Sequence, residues 1–255
     1  MDFKKVKVTY GEGGGDFHEK IAFHTHTNYH SSPNELGGCL NDWRNILRII
    51  DDWFGIDDMD RQSFIEKNYN FNLVVSQAKN LPLLVRKNDL LIYSNSGHGT
   101  LIPDNDGDEV SGYDQALYTD DGKFISDDMI HRILSQFVPG CLIIGIFDNC
   151  HAGTMDRGLI NWHRMPKDVV ANAVTYLGCE EQGTSADATI NNLRQGACTY
   201  YLLESLVEHQ YHISYVDLLD DANKRLRLNG YRQVMQMACT EGMENLLFGK
   251  MPTAK

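Results

Sequence analysis

Two apolar runs that stop abruptly in small polar residues constrain this chain more than anything else in it. Leu90 to Tyr93 (LLIY) gives way to SNSGHGT, and Cys141 to Phe147 (CLIIGIF) gives way to DNCHAGT. A continuous apolar run this short reads as a strand buried on both faces, and such a strand needs helices above and below it. The helices are legible too. Leu36, Leu40, Trp43, Leu47, Ile50 and Phe54 recur at spacings of three and four, the stripe of an amphipathic helix. Ser126 can cap a helix with Asp127 and Asp128 in its first turn and Ile130, Ile133, Leu134 and Phe137 on its apolar face. Residues 197–207 and 214–228 read as helices, the second stopped by Gly230, and residues 73–85 as a weaker helix interrupted by Pro82. Further strands are predicted at residues 21–29, 169–177 and 233–239. Strands alternating with helices predict an α/β sheet covered on both faces.

At 255 residues the chain is the size of one domain and can bury roughly three quarters of the surface its unfolded form exposes, so it needs no staples. Six cysteines without a CxxC pair argue against a zinc knuckle or a disulfide framework. The longest apolar stretch falls far short of the roughly 20 residues that cross a bilayer, and the first residues lack a secretory apolar region, so the protein is expected in the cytoplasm and off the membrane. A net charge of −12 excludes nucleic-acid backbones as the main partner and favours basic polypeptides. The linker-like GEGGG at residues 11–15 suggests an extension over residues 1–20 before a single domain at 21–255, expected to be a monomer.

In open α/β folds chemistry gathers where loops leave the carboxyl ends of the strands. The two loops after LLIY and CLIIGIF each carry one reactive side chain, His98 and Cys150. A thiol peptidase needs a thiolate, an imidazole to generate it and protonate the leaving amine, and N–H groups to hold an oxyanion. Cys150 and His98 fit the first two needs, and the N–H groups of Gly99 and Cys150 the third. Gly97, Gly99 and Gly153 beside them would let a substrate backbone approach closely.

Seven stretches, NYHSSPNELGGCLND, YSNSGHGT, DGDEVSGYDQALYTDD, ISDD, IFDNCHAGT, GTSADA and QGACTYYLLESL, resemble the metacaspases, caspase-like cysteine peptidases, in that family's order. The resemblance implies a caspase-like α/β/α sandwich with a mainly parallel six-stranded central sheet, and a His98/Cys150 dyad. It implies protein or peptide substrates cleaved after Arg or Lys, read by a pocket of Cys39, Asp42, Ser96 and Asp148. Two carboxylates converging on one cleft suit a guanidinium or ammonium group. Nine Asp or Glu residues against one Lys lie between Asp104 and Asp128. The resemblance implies a regulatory Ca²⁺ there, held by Asp114, Asp127, Asp128 and Asp156; the chemistry itself needs no cofactor. PDNDGDE is not an EF-hand, because its glycine stands at the fourth position and no Glu at the twelfth. Two alternatives stay open: a catalytically silent caspase-like binding scaffold, and an Arg- or Lys-directed peptidase of the clostripain or gingipain kind. The first strand departs from the family in reading FHTHTNYH; alternation predicts His24 and His26 on one face, where a His pair can bind metal, but with no third ligand visible they read as hydrogen-bonded histidines of the core or the cleft.

Overall fold

The structure is a computed structural model that describes residues 1–13, 17–104, 107, 112–149, 162–178 and 187–252. In chain order the elements are β1 (Lys20–His26), α1 (Cys39–Ile46), which runs on through a π turn (Leu47–Asp51) into α2 (Asp52–Phe54), β2 (Arg61–Ile65), α3 (Phe71–Ala78), α4 (Leu81–Leu84) and β3 (Leu90–Gly97). Then come β4 (Gly99–Pro103), β5 (Tyr113–Tyr118), β6 (Phe124–Ser126), α5 (Asp127–Leu134), β7 (Leu142–Asn149), β8 (Trp162–Arg164) and β9 (Asn172–Leu177). The hairpin β10 (Asp187–Ile190) and β11 (Leu193–Gly196), α6 (Ala197–Glu208), α7 (Tyr215–Leu228) and β12 (Gln236–Cys239) complete it.

Six principal strands form the expected sheet in the order β2-β1-β3-β7-β9-β12, and the three-residue β8 is added outside β12. The first five run parallel, and β12 is antiparallel to β9. Side-chain alternation along β7 explains why its run is apolar throughout. Leu142, Ile144 and Ile146 enter the core beneath α1, α6 and α7, whereas Ile143 and Phe147 enter the one beneath α3 and α5. Ser126 caps α5 as predicted, its hydroxyl accepting from the Met129 N–H. Residues 1–13 lie along the domain: Phe3 is buried in the first core, and Arg48 donates to the carbonyls of Lys4 and Val6. No helix among the described residues is long and apolar enough to cross a membrane.

Several local expectations are corrected. The weaker helix is interrupted as expected, but ahead of the proline: α3 ends at Ala78, and Pro82 stands in the first turn of α4, where its missing N–H costs nothing. The strands expected from residues 169 and 233 begin at Asn172 and Gln236, because a turn bonding Val169 to Pro166 and an irregular stretch precede them. The acidic stretch is not all loop, since β5 and β6 pair with β4 in a small antiparallel sheet. The edge strand β2 and the β10–β11 hairpin, too short and polar for an apolar signal, were not expected.

His24 and His26 are interior residues, as alternation predicts. Both rings lie 2.7 Å from the Ser94 hydroxyl oxygen, His24 through Nδ1 and His26 through Nε2. His24 Nε2 is 2.8 Å from Asp51 Oδ2, to which Arg61 also donates at 3.2 Å. The two rings, Ser94 and Asp51 are wholly buried. Burial, then the neighbouring His24, holds the pKa of His26 well below the usual histidine value. The unfolded chain takes up that proton near pH 6.5 while the folded chain does not, so acid favours unfolding. Denaturant unfolding is expected to show stability falling from pH 7.5 to 5.5, and His26→Gln should remove up to about 1.4 kcal/mol per pH unit of that slope. An identical pH dependence in the variant would contradict this.

Candidate active site

Two parallel neighbours position the site. β3 and β7 pair in register from Leu90 beside Leu142 to Gly97 beside Asn149. The residue after Gly97 is His98 and the residue after Asn149 is Cys150; Cys150 lies outside the described residues. Asn149 Nδ2 donates to the Gly97 carbonyl at 3.0 Å and ties the two strand ends together.

His98 is held from three sides. Its N–H donates to the Tyr29 hydroxyl (2.8 Å), which donates in turn to the Tyr118 carbonyl (2.6 Å). The Tyr29 ring lies against the imidazole with centroids 4.7 Å apart. His98 Nε2 is 2.7 Å from the Asn34 carbonyl oxygen. A carbonyl only accepts, so the network assigns the proton to Nε2 and leaves Nδ1 as the basic nitrogen. Gly97 is required for this approach, since a Cβ there would stand 2.8 Å from the Tyr29 hydroxyl. Gly99 opens β4 opposite Leu117.

The four residues expected to read the substrate come together on the α1 side of the sheet, all buried. The Ser96 hydroxyl donates to Asp42 Oδ2 at 2.7 Å and the Gly196 N–H to Asp42 Oδ1 at 2.8 Å. Asp42 therefore does not cap α1. Asp148 Oδ2 accepts from the Thr199 N–H in the first turn of α6, at 2.8 Å. Cys39 donates its N–H to Asn28 Oδ1 at 3.0 Å. Burial, and next the Asp148 carboxylate, push Asp42 well above the usual carboxylate range. Burial and Asp42 likewise push up the Cys39 thiol. Among the described residues Asp42 is answered by a hydroxyl and an N–H and not by a cation. Asp187, a third acid at the start of β10, does have one: Arg194 donates to it at 2.6 Å, and Gly37 N–H at 2.7 Å. Asp187, Gly196 and Thr199 were not foreseen. The one hint of them is a glycine where a helix start usually carries Ser or Asp.

At the other end of this region, Asp114 is buried in β5, and Asp127 and Asp128 begin α5. They are electrostatic neighbours. Asp127 is pushed up to about 6, chiefly by burial, with Asp114 and Asp128 adding to it. Asp128 also pairs with Arg132 at 3.5 Å. No group of three or more His, Cys, Asp or Glu that could hold an ion is assembled among the described residues, and Asp156 lies outside them.

Residues 20–157, more than half of the chain, match the family model for the metacaspase peptidase C14 domain. The chain belongs to the metacaspase family. It is 27% identical to Metacaspase-1 of Scheffersomyces stipitis over 84% of this chain and 68% of that one. Among solved structures it resembles a Geobacter sulfurreducens protein (TM-score 0.70, 19% identity, 91% of this chain and 98% of that one). It also resembles Caspase-1 of Spodoptera frugiperda (TM-score 0.59, 16% identity, 98% and 94%). These likenesses establish the caspase-like fold; family membership makes the metacaspase a cysteine-type peptidase with protein substrates.

A buried carboxylate with no cation beside it is a local cost to folding. Asp42 ionises in the unfolded chain near the usual carboxylate value but at higher pH in the folded one, so its cost grows as pH rises through that interval. Asp42→Asn keeps the shape and removes the charge. The variant is expected to melt higher than the wild type at pH 8, with the gap shrinking toward pH 5, in a thermal unfolding series. A lower melting point at pH 8 would mean the ionised pair is supported by contacts that this geometry does not contain.

Proposed function

We propose that this metacaspase is an endopeptidase cleaving polypeptides after Arg or Lys, with Cys150 as nucleophile and His98 as its base. The observation that supports the specificity is the convergence of Asp42, Asp148 and Ser96 in one buried site, with Asp42 bonded to no cation among the described residues. A substrate guanidinium or ammonium group is the missing partner, and charge-assisted bonds to buried carboxylates contribute about 1.5–3 kcal/mol each. An acidic side chain would be repelled.

The catalytic cycle follows from the placement of His98. Its basic Nδ1 takes the Cys150 thiol proton, and the thiolate attacks the carbonyl carbon of the scissile bond. The N–H groups of Gly99 and Cys150 hold the oxyanion. As the tetrahedral adduct collapses, the imidazolium gives its proton to the departing amine. Water then attacks the thioester carbonyl, His98 again takes the proton, and the product acid leaves. Asn34 and Tyr29 keep the imidazole in one tautomer and one orientation through both transfers.

A regulatory Ca²⁺ is part of the proposal. What supports it is the strain on Asp127, pushed up to about 6 chiefly by burial with Asp114 and Asp128 adding, which an oxygen-seeking cation drawing these acids together would relieve. Asp114, Asp127, Asp128 and Asp156 would hold it, and the ion would supply neutralising charge, with no part in the bond cleavage.

A fluorogenic peptide panel with Arg, Lys or Asp at the cleaved position tests the reading. Arg and Lys peptides are expected to be turned over and Asp peptides not. Cys150→Ala or His98→Ala should lower turnover by at least about a thousandfold with the fold intact. Asp148→Ala should cut it far more than it slows alkylation by iodoacetamide. Preference for Asp, or turnover within tenfold in either dyad variant, would refute the assignment. Millimolar Ca²⁺ is expected to raise activity and EDTA to reverse the rise, with Asp128→Ala blunting the response at unchanged specificity. Full activity in EDTA, with no Ca²⁺ binding by calorimetry, would remove the ion from the scheme.

A further inference from the structure

Both groups that hold His98 come from one short loop. Tyr29 supplies the hydroxyl and the ring, and Asn34 the carbonyl that fixes the proton on Nε2. The loop is closed at its neck by the Leu36 N–H, which donates to the Asn28 carbonyl at 2.8 Å. Its path is a strained one. Tyr29 and Ser31 stand at φ 56° and 66°, in the left-handed region that residues with a side chain rarely adopt. Such a conformation persists only where its surroundings hold it. His30 stands between the two strained residues, and its ring reaches two acids.

His30 Nδ1 is 2.9 Å from Glu35 Oε1 in the same loop, and Nε2 is at an ion-pair distance of 3.6 Å from Glu66 Oε1, just past β2. Each acid also holds the loop backbone. Glu35 Oε2 accepts from the Ser31 N–H at 3.2 Å, and Glu66 Oε1 from the Asn28 N–H at 3.3 Å. Glu66 is itself left-handed, at φ 54°, and the Thr27 hydroxyl lies 3.2 Å from its Oε2 and 3.1 Å from Asp120 Oδ1. A neutral imidazole offers an N–H at one nitrogen and a lone pair at the other, whereas the imidazolium offers an N–H at both. Only the charged ring can therefore serve Glu35 and Glu66 at once. Resting on the assignment of His98 as the base, we infer that His30 is a positioning residue: clasped as an imidazolium between Glu35 and Glu66, it locks the 28–36 loop, and the loop then keeps the His98 ring in the tautomer whose Nδ1 is basic. The acids that face His30 favour its charged form. The Glu35 hydrogen bond is the largest influence raising its pKa above the ordinary 6.5, the Glu66 charge comes next, and Asp120 adds a smaller one. The clasp is thus complete at pH 6 and is lost as pH rises through the raised value.

Three forms of the protein test this. His30→Gln can still bond to Glu35 but carries no charge, and His30→Arg carries charge at every pH. Exposed ion pairs are weak, so His30→Gln is expected to lower kcat for an Arg peptide by about threefold at pH 6, with the gap closing by pH 8.5 and KM unchanged. His30→Arg should match the wild type at pH 6 and not fall below it at pH 8.5. A histidine that merely supports the fold would give a loss independent of pH that Arg does not rescue, and that result would overturn the inference. A second readout does not depend on turnover. Long-range 1H–15N spectra at pH 7.5, with His98 assigned through His98→Gln, should show the Nε2–H tautomer in the wild type and a mixture of tautomers in His30→Gln. An unchanged His98 tautomer in that variant would equally overturn the inference. Should His30→Gln fail to fold, Glu66→Gln keeps the backbone bond to Asn28, removes one jaw of the clasp, and is expected to give the same pH-dependent loss and the same mixture. Turnover that survives His98→Ala would remove the base itself, whatever the His30 spectra show, which separates the two failures.

Discussion

Everything at this site depends on the in-register parallel pairing of β3 and β7. Parallel strands end on the same side of a sheet, so residues far apart in sequence leave it side by side. Gly97 beside Asn149 brings out the histidine and cysteine loops together, and Ser96 beside Asp148 does the same for the pocket one step earlier. The two strand ends that lead into the histidine and cysteine loops, and with them Ser96 and Asp148, are thus set by a single ladder of main-chain bonds. A one-residue slip would turn Ser96 and Asp148 to opposite faces and part them.

What the ladder does not supply comes from elements that pack against its upper end. α1 contributes Cys39 and Asp42, and the hairpin with the start of α6 contributes Gly196 and Thr199. The two carboxylates do double work there. Asp148 takes the place of an N-cap on α6, and Asp42 fastens the hairpin to β3 through Gly196 and Ser96. The helix N-terminus also favours the negative charge near it. A pocket residue that is also a structural tie is held in one rotamer before substrate arrives, which is what a charge-reading site requires.

The central strands and the loops leaving them were legible because burial on both faces writes an unmistakable run, as in CLIIGIF, and because a sharp change to DNCHAGT marks its end. Asp42 and Asp148 were legible as acids near reactive loops and through likeness to a family. Their partners were not. Asp42 meets Gly196 across 154 positions of sequence, a contact without periodicity to announce it. β5 was hidden for a different reason: YDQALY is flanked by acids, so its burial is apparent only once β4 covers it. The pair His24 and His26 shows the reverse case. Alternation placed both rings inside, but neither the shared Ser94 hydroxyl nor Asp51 on the π turn follows from spacing alone.

The contrast between Asp42 and Asp187 carries the functional argument furthest. Two acids from different elements lie close enough that both raise the Cys39 thiol, yet among the described residues only Asp187 is completed by an arginine. A fold selected for stability alone would give Asp42 a cation as well, or replace it by an amide, because an uncompensated buried carboxylate is destabilising. Retaining it makes sense where the compensating charge arrives with the substrate. On the reading proposed above, the interaction energy that the folded protein forgoes at Asp42 would be released on binding.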